Sequence, residues 1–203
     1  MANQKLIVDP ASTPSLTTYK LLIGSVVPRP IAFVSTVSTG GVYNLAPFSF
    51  FNVICAEPPT VCFSTGFRVP SKDTLANIMA TREFVVNIVS EEIAEQMNLC
   101  SGEYPHGVSE FEISGLTPVP SDLVKPPYVG ESHVNMECKL VQTVEVSTLP
   151  RGGTLIIGEV VRFHIDESIV DNFRIDPDKL RAIGRMGGNW YTRTRDRFEM
   201  LRP

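Results

Sequence analysis

Apolar residues fall mostly in short runs of β-branched and aromatic character, and only a few stretches space them every three or four positions. Ile31–Val37 is one such run. Thr39-Gly40-Gly41 follows as a turn signal, so Val42-Tyr43-Asn44 is predicted to return as a hairpin partner. Phe50–Ala56 and Thr60–Ser64 read as strands on either side of Pro58-Pro59, and Glu83–Val89 as another. Two long β-rich runs, His133–Thr148 and Thr154–Ile165, are joined by Pro150-Arg151-Gly152-Gly153, and Asn189–Thr194 is β-prone. Helical signals are fewer. Thr17–Gly24 carries a hydroxyl N-cap and a glycine stop. Residues 74–81 place Leu75, Ile78 and Met79 at helical spacing. Glu91–Cys100 has acidic residues in its first turn, and Asp176-Pro177 opens a short helix. Residues 101–132, rich in Gly, Pro and Ser, hold no firm element, and a loop of that length is expected to be functional or a lid. Strands thus outnumber helices and are joined by turns. The expected class is mainly β: an antiparallel barrel with peripheral helices.

Composition narrows the function classes. With 203 residues, a single domain over 1–203 is expected, with 171–203 as a C-terminal extension packing on the barrel. Apolar residues make up 43% and charged residues 20%, an ordinary globular balance. A net charge of −4 gives no reason to expect a nucleic-acid or anionic-membrane partner. No apolar run approaches the roughly 18 residues of a membrane span. Met1–Lys5 lacks the apolar stretch of a signal peptide, so a cytoplasmic location is expected. Cys55, Cys62, Cys100 and Cys138 have no metal or redox spacing. Cys55 and Cys62 could face each other across a hairpin, but simple apolar packing is the expectation. His106, His133 and His164 share no ligand spacing, so no metal site is expected.

Three segments could carry chemistry. Asn44–Asn52 packs small, polar and aromatic residues into extended chain, and Pro47 cannot donate to a ladder. It therefore reads as an edge, bulge or turn whose amides could meet a flat ring, or else as ordinary aromatic core. Ser71-Lys72-Asp73-Thr74 reads as a helix start with a lysine and hydroxyls, suited to phosphate. The competing reading is an N-cap by Ser71 or Asp73 with a solvated lysine. Gly187 and Gly188 precede Trp190 and Tyr191, which could stack on a ligand or anchor the C-terminus. No Gly-x-Ser-x-Gly, no cysteine–histidine pairing and no Gly-x-Gly-x-x-Gly after a strand is present. A ring-and-phosphate slot without acid–base machinery suits a cofactor that brings its own chemistry.

These residues resemble a known family. Arg29-Pro30-Ile31-Ala32 with Ser35-Thr36, Asn44-Leu45-Ala46-Pro47-Phe48-Ser49 with Phe51-Asn52, Pro58-Pro59, Lys72–Asn77, Phe84–Asn87 and Ile157-Gly158-Glu159-Val160 follow one another in order. From about Pro28 to Pro203 the chain resembles the flavin reductase-like proteins of the FMN-binding split-barrel fold, an antiparallel Greek-key type. The longer tail resembles the longer, flavoredoxin-like subgroup. The resemblance implies a homodimer with FMN near the interface and hydride transfer from NADH or NADPH. By the same analogy Ser35, Thr36, Asn44, Ala46, Pro47, Ser49, Phe51 and Asn52 line the flavin slot. Lys72, Asp73 and Thr74 hold the phosphate, with Ser64 and Thr65 as further candidates and Arg185 and Trp190 from the tail. No proton-donating side chain is implied. One departure stands out: short reductases often carry Gly-Asp-His where this chain has Arg151-Gly152-Gly153-Thr154. The alternative is therefore an FMN-binding electron carrier or flavin-storage protein without its own NAD(P)H site. A barrel that has lost flavin for another planar ligand is a third reading.

Overall fold

The computed structural model describes residues 3–203, so Met1 and Ala2 of the segment read for a signal peptide lie outside it. In chain order the elements are α1 (Ser15–Ser25), β1 (Ala32–Val37), β2 (Tyr43–Phe48), β3 (Phe51–Ala56), β4 (Pro59–Gly66), α2 (Asp73–Thr81), β5 (Glu83–Ile88), α3 (Ala94–Leu99) and α4 (Glu110–Ser114). After these come β6 (Pro118–Val119), β7 (Tyr128–Val129), β8 (Val134–Ser147), β9 (Gly153–Ile165), β10 (Val170–Asp171), β11 (Arg174–Ile175), α5 (Pro177–Leu180), β12 (Ile183–Arg185) and β13 (Tyr191–Arg193).

Every residue of β1 is buried, because each of its faces meets a different core. Ala32 and Val34 point into a cluster with Phe48, Phe63, Ile78, Phe84 and Ile156, the barrel interior. Ile31 and Phe33 point the other way, to Leu45, Met97, Phe111 and Ile183, under α3, α4 and the tail. The alternation of side chains along a strand sorts the run between the two cores. Seven strands form one antiparallel sheet in the order β2-β1-β5-β8-β9-β4-β3. Its two end strands, β2 and β3, are joined by only Ser49 and Phe50. A sheet whose first and last strands are consecutive in the chain must curl until its edges meet. The Phe48 and Phe63 rings pack across that junction at 5.0 Å, and the Ser64 amide donates to the Phe50 carbonyl at 2.9 Å. The barrel is closed there by chain and side chains, not by a β2–β3 ladder. That split seam contains the Asn44–Asn52 segment, and Pro47 lies on an edge strand, as its missing donor requires.

The structure departs from the sequence reading in places. The first helix starts before Thr17, with Pro14 at the N-cap position and no side-chain cap. Gly24 does not stop it; the tail's Gly187 rests on the backbone there. Glu91–Ile93 is a 3-10 turn leading into α3 rather than the first turn of one helix. Segment 101–132 contains α4, β6 and β7. It is pinned from beneath: the buried Glu137 carboxylate accepts from the amides of Asp122 (2.8 Å) and Leu123 (2.7 Å), and Asn87 Oδ1 accepts from the Val129 amide (2.9 Å). The partners that order it come from distant strands, so local composition reads as loop. Cys55 and Cys62 are not cross-strand partners, since Asn52 faces Cys62 and Cys55 faces Thr60 across a bulge. Cys55 is exposed rather than packed, while Cys100 and Cys138 are buried. Among the described residues no helix is long and apolar enough to cross a membrane.

Candidate functional site

The first part of the site forms where α2 begins against β1 and β2. Lys72 occupies the N-cap position with extended backbone, and neither Ser71 nor Asp73 caps the helix with its side chain. The first amides of α2 therefore keep no side-chain acceptor. Buried Thr74 accepts from Asn44 Nδ2 at 3.0 Å, leaving its own O–H for another bond. Asn77 Nδ2 donates to Thr36 Oγ1 at 3.0 Å, tying the helix to β1. The Lys72 ammonium lies 5.5 Å from the centre of the Phe48 ring and has no carboxylate in ion-pair range among the described residues. Burial, followed by the nearby Arg68 charge, pulls its pKa below the ordinary lysine value, against an opposing pull from Glu103. Asp73 instead turns outward to His106, 2.8 Å away. On β4, Thr65 is 1% exposed and its hydroxyl has no partner, while Ser64 beside it is half-buried.

The second part follows the seam. Ala46 and Phe51 pack against the barrel core. Pro47 and Ser49 line a cavity of ≈ 600 Å³ together with Tyr19, Arg29, Asn98, Ser101, Arg185 and Tyr191. The tail reaches this cavity because β12 and β13 form a hairpin, and β12 pairs with Arg29 through a bridge at Arg185. Gly184 permits that approach, since a Cβ there would meet Pro28 at 2.8 Å.

Not all the predicted residues converge. Ser35 faces away from the α2 group, its hydroxyl donating to the Pro127 carbonyl and lying within 3.4 Å of Asn87 Nδ2. Asn52 is exposed and accepts from the Val53 amide. Trp190 is 77% exposed and outside the cavity lining, though Asn189 and Tyr191 on either side of it take part. Conversely, Arg29 entered the sequence reading only as a landmark, yet it is a buried member of the cavity. A charged residue held between two prolines was the one signal available for it. Asn77 and Phe48 also take part, through the bond to Thr36 and the contact with the Lys72 ammonium, though nothing in their local sequence marks them.

Some of this fits a flavin's phosphate: a half-buried ammonium with no carboxylate, an uncapped helix start and an orphaned hydroxyl. The family model described as "Flavin reductase like domain" matches residues 23–181. The chain belongs to the flavin reductase-like family. Relatives in this family run over nearly the whole chain. A protein of Aquifex aeolicus (strain VF5), named only "Uncharacterized protein", is 46% identical over 180 residues, covering 87% of this chain and 90% of that one. Nitrilotriacetate monooxygenase component B from Bacillus cereus superposes with a TM-score of 0.94 at 36% identity, covering 98% of this chain and 100% of that one. The 2-nitrobenzoate 2-nitroreductase of Pseudomonas fluorescens superposes with a TM-score of 0.89 at 33% identity, covering 98% and 96%. The split-barrel architecture and flavin-linked oxidoreduction are thus family properties of this flavin reductase-like chain, and a domain of this family implies flavin binding.

Proposed function

We propose that the protein binds FMN, takes electrons from NADH or NADPH, and passes them to a further acceptor. The seam between β2 and β3, opening beside the cationic start of α2, is the observation that carries this reading. Pro47, Ser49, Ala46 and Phe51 would border the flavin ring at the edge of the sheet, where the Leu45 amide is already held by the Glu110 carboxylate at 2.9 Å. Lys72, Thr74 and the α2 amides would hold the phosphate of FMN, with Thr65 and Ser64 as a second wall. Asn44 and Thr36 would act through Thr74 and Asn77, fixing the helix against the slot. When bound, the flavin supplies the redox chemistry; the chain aligns the reactants and shields them from water.

A homodimer belongs to the same proposal. The edge strand β3 exposes Val53 (65%) and Ile54 (50%), and an open apolar edge is a liability unless covered. A second copy would cover it. In the cell this chemistry would sit in the cytoplasm, beside the pyridine nucleotide pool.

The test is anaerobic mixing of the FMN-loaded protein with NADH or NADPH, following the flavin's visible absorption. Bleaching by either nucleotide is expected. The Arg151-Gly152-Gly153-Thr154 stretch, without the Gly-Asp-His of short reductases, favours a second reading as a carrier or storage protein. Bleaching only after a separate reductase is added would select that reading. Failure to take up FMN at all would remove both.

A further inference from the structure

Arg29 and Arg185 are cross-strand neighbours. The Arg29 amide donates to the Arg185 carbonyl at 2.9 Å and the Arg185 amide to the Arg29 carbonyl at 2.8 Å, in an isolated antiparallel bridge. A pair that exchanges both bonds has its Cα atoms about 5.5 Å apart with both side chains on one face. Like charges in that position oppose folding. Elsewhere in the tail, Arg181, Arg193 and Arg195 all meet Glu91, and Arg197 meets Asp178. Neither Arg29 nor Arg185 has a carboxylate partner among the described residues.

Arg29 is only 6% exposed. Its terminal nitrogens donate to the carbonyls of Ile23 (2.7 Å), Val26 (2.8 Å) and Met186 (3.0 Å), while its buried Nε–H has no partner. Arg185 lies over the Tyr191 ring at 4.4 Å and donates to the Gly188 carbonyl at 2.6 Å. Both arginines line the ≈ 600 Å³ cavity, whose lining includes no Asp or Glu. That volume is within the usual range for a small-molecule site, roughly 300–1,000 Å³. Two paired cations lining an acid-free cavity call for an anion. The rest of the wall chooses its body. Tyr19 and Tyr191 give rings and Pro47 a small apolar face. Ser49, Asn98, Ser101 and Asn189 give polar groups, and Ile23, Ile31 and Met97 lie buried at the base.

We propose that this cavity binds a small molecule carrying a carboxylate, held between Arg29 and Arg185 with its ring or short body against Pro47 and the Tyr19 and Tyr191 rings. A planar carboxylate offers two oxygens to guanidinium donors. Pro47 and Ser49 belong both to this cavity and to the seam, so the molecule sits beside the ring end of the flavin slot as the electron acceptor. That last role rests on the flavin reading above; the binding does not.

The test is calorimetric titration of the full chain, with and without FMN, using benzoate and its neutral counterpart benzamide. FMN uptake is followed separately by absorbance. Benzoate is expected to bind about tenfold or more tighter than benzamide. Arg185→Gln should abolish the preference, and Arg185→Lys should keep part of it. Equal binding of the two ligands, or a preference that survives Arg185→Gln, overturns the proposal. Binding of ADP-ribose through Arg185 in place of benzoate overturns it too, and assigns the cations to a pyrophosphate. A benzoate preference in protein that takes up no FMN keeps the carboxylate site and removes only the acceptor role.

Discussion

Thr65 carries a hydroxyl that is 1% exposed and bonded to nothing among the described residues. An unsatisfied buried hydroxyl costs about 1–3 kcal/mol, so the flavin-free chain is destabilised by it. Thr65→Val keeps the shape and removes the polar atom. It should raise the melting temperature of the flavin-free protein by a few degrees, roughly 2–4 °C per kcal/mol at this size, while weakening FMN. A fall in melting temperature would mean that the hydroxyl already has a partner. The neighbouring cation gives a second discrimination. Lys72→Ala combined with Thr74→Ala should weaken FMN more than riboflavin by about 1.5–3 kcal/mol, the range for charge-assisted bonds. Equal losses for the two ligands, measured by absorbance titration, would move the phosphate elsewhere. Residue by residue, the sequence revealed chemistry better than direction. Thr36 and Ser35 are adjacent and equally polar, yet alternate faces of β1 send one to α2 and the other to the Pro127 carbonyl. Arg29 was harder to read, because its carbonyl partners at Ile23, Val26 and Met186 come together only in the fold.

Among the elements, the tail hairpin gathers three arginines on one carboxylate, besides its backbone bridge to Arg29 and the burial of Ile183. Glu91 receives Arg195, Arg193 and Arg181. The Arg195 contact first, then Arg193 and Arg181, lower its pKa from the ordinary 4.5 to about 2 against the opposing effect of burial. A depressed carboxylate stabilises the fold fully above its unfolded pKa, and that contribution is lost as pH falls through the folded value. Tail docking should therefore weaken between about pH 4.5 and pH 2. Glu91→Gln should loosen the tail already at neutral pH. Limited proteolysis after β12, or Trp190 fluorescence, would register either change; a tail equally resistant in both proteins would contradict it. The strands were legible because β-branched and aromatic runs are bounded by turn signals, even where burial does not alternate, as in β1 and β5. Segment 101–132 was not, since its order comes from Glu137, Asn87 and Asn135 beneath it. Gly158, seen only as part of a motif, proves to be where Phe84 presses on β9: a Cβ there would lie 2.3 Å from the ring.

At the scale of the molecule, the strand order explains why a segment that reads as aromatic core is also the opening of the barrel. Phe48 does fill the interior, while Pro47 and Ser49, one position to each side, face the cavity. The sequence suggested the edge through Pro47 but could not say that β2 and β3 end up at opposite ends of one sheet. That arrangement has a dynamic consequence. Amides along the β8–β9 ladder open only with the barrel, whereas those at the seam are protected by a two-residue link and side-chain packing. In hydrogen–deuterium exchange, the amides of residues 48–52 should exchange far faster than those of residues 134–140 in flavin-free protein, and should slow when FMN is added. Uniform exchange across the sheet would argue against a split seam. The protein would then use its ligand as the missing rung: a barrel that breathes along one line until the cofactor stitches it shut.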